Sequence, residues 1–266
     1  MAFIMNKVPL PENSRHSQHS RSFPEPGAQP DGQEDRSRLT QIMLLKSLLQ
    51  VAEGFQSSSL LTALPGAFLE RLLSPALLPD PAMRTFVLEI LGSFIDRRAL
   101  RQRLAPSSSI TDVSLLKLKV EKCSRQDSVF MKKHGSALLC HAFRVCRQGS
   151  SSPQHFRALF RLLALLSLEL GTDDVITDLL RLVLALQVPG GPNLGHFWGF
   201  YVALEEPQLP ELSRCALPAL GAAFLLFLGH LLGIPAFLQH VQEVIEARQR
   251  SAPFLLPEEA FADTPR

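Results

Sequence analysis

Three observations predict that this 266-residue chain is all-α, an armadillo/HEAT-like solenoid of stacked αα-hairpins behind a disordered N-terminal segment. Leu and Ala dominate, 46% of residues are apolar but only 7% aromatic, and no strand-length run alternates apolar with polar residues. Apolar residues recur instead at i, i+3, i+4 and i+7 along most of the chain. The third observation is the stretch 155–187. Its first half, HFRALFRLLALLSLEL, offers water only Arg157, Arg161, Ser167 and Glu169. A helix apolar on most sides must be covered on most sides, so other helix pairs must flank it, as in a repeat array.

Residues 1–36 are rich in Pro, Ser, Gln, His and charge. Phe23 is the only large apolar group after Leu10, too little to offset the entropy of ordering. His16 and His19 lie there at i, i+3 spacing as two lone histidines in a flexible tract, with metal binding only the lesser alternative. Residues 37–250 form the repeat domain. A first helix spans about 35–55, with Leu39, Ile42, Met43, Leu45, Leu49 and Val51 at helical spacing and Gly54 as its stop. A shorter helix spans 62–73, starting near Pro65. Asp80-Pro81 is a cap followed by proline at the first helical position. Met83, Phe86, Val87, Ile90, Leu91, Phe94 and Ile95 continue that helix. Arg97, Arg98 and Arg101 follow as helix-end charge, with a phosphate site as the alternative.

Ser109 or Thr111 is expected to cap a helix running through Leu118. The helix over 127–147 places His141 on its apolar side, as a hydrogen-bonded core histidine. The hairpin 155–187 turns at Gly171, expected in the left-handed conformation, and restarts with Thr172 as cap and Asp173 and Asp174 at the positive end of the dipole. Asp174, Thr177, Asp178 and Arg181 make its polar stripe. Residues 188–208 read as a loop insertion, broken by Pro189, Gly190, Gly191 and Pro192 and holding Trp198 and Tyr201. The run 214–238 nearly has membrane-span length. Pro218, Gly221, Gly229, His230, Gly233 and Pro235 favour a buried helix instead. In the helix over 236–250, Phe237, Val241, Val244 and Ile245 are expected inward and Glu243, Glu246, Arg248 and Arg250 outward. Residues 251–266 form an extended tail that docks Phe254, Leu255 and Phe261.

A net charge of +2 gives no footprint for nucleic acid. Cys123, Cys140, Cys146 and Cys215 are scattered without a CxxC, as reduced, mostly buried thiols. The start, MAFIMNKVPLPENSR, lacks the apolar core of a secretory leader. GxSxG, GxxxxGK[ST], GxGxxG and HExxH are all missing, so no catalytic, cofactor-binding or metal residues are assigned and no small-molecule substrate is expected. The alternatives are a generic helical-repeat protein-interaction module and a lipid hydrolase, which would need Ser124, Ser128 or Ser136 beside a histidine. The one candidate surface is basic. Lys117, Lys119, Lys122, Arg125, Lys132 and Lys133, offset by Glu121 and Asp127, read as a solvated face, with a basic rim for anionic lipid or an acidic partner as the alternative.

Several stretches carry a resemblance: VPLPEN at 8–13, TALPGAFLERLLSP at 62–75, LEILGSFIDRR at 88–98 and LKLKVEKCSRQDSVFMKKHG at 116–135. VITDLLRLVLALQ, RCALPALGAA and PAFLQHVQEVIEARQRSAPFLLPEEAF complete the set. They resemble the EFR-three (rolling blackout) family, nearest its vertebrate B-type branch, from Val8 to the end. The resemblance implies a non-enzymatic rod of helical repeats at the cytoplasmic face of the plasma membrane. It also implies partners: type III alpha phosphatidylinositol 4-kinase, with a tetratricopeptide-repeat and a hyccin-type subunit. The family's lipidated cysteine cluster is not found in Met1 to Asn6, so the chain reads as a carboxyl-side portion, cytosolic if nothing else anchors it.

Overall fold

The structure, a computed structural model, describes residues 31–104, 117–147, 151–187 and 209–262, with side chains from residue 35. Its helices are α1 (Asp31–Glu53), α2 (Leu60–Ala63), α3 (Gly66–Leu73), α4 (Pro81–Ile95), α5 (Arg125–Phe130) and α6 (Ser136–Cys146). They continue with α7 (Pro153–Glu169), α8 (Asp173–Leu186), α9 (Glu211–Leu232) and α10 (Pro235–Ser251). Short 3-10 turns at Ser74–Leu77, Pro253–Leu255 and Pro257–Phe261 and a π turn at Met131–Gly135 fill the rest. There is no strand among the described residues, as expected of an all-α chain.

The helices lie in two rows. In one, α1 packs on α4, α4 on α7, α7 on α9 and α9 on α10. In the other, α2 meets α5, and α6 meets α8. α8 closes against both α7 and α9. This is the predicted side-by-side stacking. Its cause is visible in α7, where every residue from His155 to the end of the helix is buried except Arg157 and Arg161. Ser167 and Glu169 were expected to face water, yet both are buried. The Ser167 hydroxyl donates to Leu163 O, and Glu169 accepts from Arg98.

Caps were legible in advance. Asp80 Oδ1 accepts from the Ala82 amide at 2.8 Å and the Met83 amide at 3.4 Å, ahead of Pro81. Thr172 Oγ1 accepts from the Val175 amide at 3.3 Å, and Asp173 and Asp174 occupy the first turn of α8. Other boundaries moved. α1 begins at Asp31, so the boundary drawn at 37 falls inside a helix. Its Leu39 and Met43 face outward, while Leu45, Leu48 and Ala52 supply the core. The expected helix 62–73 splits, because Pro65 has no amide to continue α2 and instead opens α3. Gly171 is not left-handed. It is small because a Cβ there would lie 2.2 Å from Ser167 O and 2.8 Å from Val120 Cγ1. The left-handed glycine is Gly233 (φ 63°), which ends α9 while the Ile234 amide reaches back to Gly229 O at 3.2 Å.

α9 has the length and composition of a membrane span, but 72% of its apolar window is buried against the other helices. Two positions on α10 are exchanged relative to expectation. Val244 is exposed, whereas Arg248 turns inward to donate to Pro218 O, Leu255 O and Gln187 Oε1. Three carbonyl-type acceptors, one within α9, one in the tail and one just after α8, take the guanidinium out of solvent. The tail is wound in 3-10 turns rather than extended. It docks Phe261 but leaves Phe254 exposed. The expected N-terminal disorder, the cap at Ser109 or Thr111 and the 188–208 insertion lie outside the described residues.

Candidate functional site

The basic stretch folds differently from expectation. Its described part, from Lys117 to Ser124, is not helical. Leu118, Val120 and Cys123 are partly buried, with Lys117, Lys119 and Lys122 exposed between and beside them. Alternation with period 2 belongs to an extended segment lying on a surface. The segment is laid along the end of α7 by hydrogen bonds. The Glu121 amide donates to Leu168 O at 2.9 Å. The Arg98 guanidinium donates to Glu169 Oε1 (2.8 Å), Glu121 Oε1 (3.0 Å), Lys119 O and Leu168 O.

A second clasp closes the segment where α5 begins. Ser124 caps α5, its Oγ accepting the Asp127 amide at 3.1 Å and donating to Asp127 Oδ2. Asp127 is fully buried and bound on both oxygens by Arg97, with two bonds of 2.8 Å. Its Oδ1 also accepts the Leu60 amide at 3.0 Å, where α2 starts. Burial by itself raises the Asp127 pKa. Arg97, the Leu60 amide and Ser124 outweigh it and hold the carboxyl below its ordinary value. So the two acids in the stretch, Glu121 and Asp127, are each taken up by an arginine from the end of α4. The six cations Lys117, Lys119, Lys122, Arg125, Lys132 and Lys133 are all exposed.

Arg97, Arg98 and Arg101 are therefore neither plain helix-end charge nor a phosphate cradle. With Arg161 they line a recess of about 770 Å³. Arg101 and Arg161 both bind Glu89, at 2.7 and 2.9 Å, and Arg101 also approaches Glu53 at 3.5 Å. Asp96 adds acceptors for the Leu100 and Arg101 amides. An anion entering would displace carboxylates already in place. The long-range partners Asp127, Glu169 and Glu89 were missed by sequence reasoning. Only the Ser124-x-x-Asp127 spacing, that of a capping box, was a local signal.

Groups able to do chemistry are muted by burial. His155 is wholly buried, with both ring nitrogens unpartnered and its pKa lowered to about 3 by desolvation and then by Arg84. His141 is lowered to about 4 by burial, then Arg144, and its Nε2 has no partner. It is thus a core histidine, but not the hydrogen-bonded one expected. Burial pushes the Cys146 thiol up to about 12 and raises Cys140 and Cys215 as well, which disfavours thiolates. All four cysteines are free. Ser128 donates to Ser124 O and Cys123 Sγ, and Ser124 to Asp127, neither to an imidazole. Among the described residues no group of three His, Cys, Asp or Glu is placed to hold a metal ion.

A family model described as EFR3, armadillo repeat, matches residues 1–266. The chain belongs to the EFR3 armadillo-repeat family. It is 48% identical to mouse EFR3 homolog B over 264 residues, 99% of this chain and 30% of that protein. Human EFR3 homolog A is 39% identical over 263 residues, again 99% and 30%. The Drosophila relative, EFR3 homolog cmp44E, is 28% identical over 258 residues, 97% of this chain and 26% of its own. The chain thus spans about 30% of the length of the EFR3 homologs A and B. No solved structure matches it. The family is one of armadillo-repeat proteins, and none of the three relatives is named for a reaction.

Proposed function

We propose that this chain is a non-catalytic scaffold segment of the assembly that holds type III alpha phosphatidylinositol 4-kinase at the cytoplasmic face of the plasma membrane. The observation that carries this reading is the whole-length match to EFR3 armadillo repeats, combined with the EFR-three resemblance, which implies that role. Stacked helices that bury one another leave broad outer faces for other proteins, and here these hold exposed Leu39, Met43, Val51, Leu184 and Val244. The partners are the kinase with its tetratricopeptide-repeat and hyccin-type subunits.

The basic stretch gives the scaffold a second contact, with the anionic inner leaflet. Each Lys or Arg near such a surface contributes about 1 kcal/mol of attraction, so six exposed cations make a useful though reversible contact. Deleting the region matching residues 62–250 from a full-length relative tests the main reading. Loss of kinase delivery to the plasma membrane is expected, and unchanged delivery would remove this region from the role. Flotation with phosphatidylserine vesicles tests the second contact, since Lys117, Lys119 and Lys122 changed to Gln should weaken binding, and more so at low salt.

A further inference from the structure

Ser124 sits at the one point where the exposed basic segment and the buried clasp share an atom. Its side chain is on the surface, at the end of the extended segment and the start of α5, with backbone φ −67° and ψ 155°. Cations surround it in sequence: Lys119 and Lys122 precede it and Arg125 follows, all exposed. Protein kinases read extended chain and flanking charge. Two acids flank it as well. Glu121 is paired with Arg98 while its side chain stays 56% exposed, and Asp127 is wholly buried under Arg97. Ser128 differs, being half-buried within α5 rather than exposed at its start.

We propose that Ser124 is a phosphorylation site for a basic-directed serine/threonine kinase, and that its phosphate opens the Asp127 clasp. In the transfer, Ser124 Oγ bonds to the γ-phosphorus of ATP and the bond from that phosphorus to the β-phosphate oxygen breaks. ADP leaves, and the hydroxyl proton passes to the kinase's base. The product loses the hydroxyl that donates to Asp127 Oδ2 and gains a charge of about −2 beside a buried carboxylate. Two anions then compete for Arg97, whose Nη1 and Nη2 both serve Asp127. Asp127 is drawn off the Leu60 amide, and α2 loses its tie to α5. The same event cancels about two of the six exposed positive charges. A single modification therefore weakens the basic surface and loosens the joint beneath it.

The test uses the folded full chain, ATP and the catalytic subunit of a cyclic-AMP-dependent kinase, read by site-resolved mass spectrometry. Phosphate is expected on Ser124 and should vanish there in Ser124→Ala, or in Ser124→Asn, which keeps a capping oxygen should the alanine variant not fold. No phosphate on Ser124 while a basic control peptide is turned over would overturn the assignment. Faster labelling of Ser124 by an acid-directed kinase would also overturn it, because Asp127 would then be open to reading. Hydrogen exchange tests the clasp. The Leu60 amide should exchange at least tenfold faster in the phosphorylated chain, with less than a threefold change in Ser124→Asn. Equal exchange in modified and unmodified chains would sink the coupling.

Discussion

Arg97 holds Asp127 by two parallel bonds of 2.8 Å across 30 residues of sequence, joining the end of α4 to the start of α5. The carboxylate is wholly buried, the guanidinium partly so. Such a pair is weak evidence of net stabilisation by itself, but losing one member strands the other. Here the loss would also orphan the Leu60 amide.

Asp127→Ala is therefore expected to destabilise the chain by about 3 kcal/mol, read as a fall in urea midpoint with unchanged slope. Asp127→Asn keeps the shape and should cost less. The wild-type carboxyl is held below its ordinary pKa, so its contribution is complete above that ordinary value. It is lost as pH falls through the lower, folded value. The Asn variant should show a flatter decline below pH 4, and a decline as steep as wild type would exclude the clasp as its source.

The two buried histidines give a separate pH signature at milder acidity. His155 and His141 are lowered to about 3 and about 4 by burial. The unfolded chain, with ordinary imidazoles, binds more protons below pH 6.5, so stability must fall as pH drops. Integrated from pH 7 to 5, each histidine costs about 2 kcal/mol. His155→Leu should remove its share of that slope in urea titrations at pH 7, 6 and 5. A pH-independent midpoint over this range in the wild type would show that the imidazoles reach water.

What the sequence made legible was whatever depends on neighbours within a few residues. Asp80 before Pro81, Thr172 before two aspartates and the apolar spacing of α4, α7 and α9 all act locally, and all were read correctly. The fold class followed, because helices as greasy as α7 admit few solutions other than stacking. The basic stretch shows where this stops. A helix was expected through Leu118, yet Arg98 and Leu168, distant in sequence, bind Lys119 O and the Glu121 amide and hold the segment out of helix. Arg248 shows the same limit. It reads as solvated charge but finds Pro218 O and Gln187 across the stack. Long-range acceptors leave no local pattern.

Two glycines separate space from conformation. At Gly171 a Cβ would meet the Ser167 carbonyl and Val120, so the backbone would have to move. Gly171→Ala should cost about 3 kcal/mol as overpacking. Gly233 has positive φ with nothing within 4 Å of a Cβ, so Gly233→Ala should cost only the left-handed strain, about 1 kcal/mol. Parallel urea curves rank them. A larger loss at Gly233 would mean that α9 ends differently.

The tail gives the last comparison, because two phenylalanines seven residues apart have opposite fates. Phe261 meets Phe160 edge to face at 5.5 Å, and Phe160 in turn meets Phe227 at 5.8 Å. Arg157 donates to the Phe261 carbonyl. The turn Pro257–Phe261 thus covers α7 and α9 where they would otherwise meet water. Phe261→Ala should cost about 3 kcal/mol through lost burial and the cavity left beside Phe160. Phe254 is 45% exposed, and Phe254→Ala should change stability by no more than about 0.5 kcal/mol. Thermal melts of the two variants decide it, since equal losses would mean that the tail docks through its first turn rather than through Phe261.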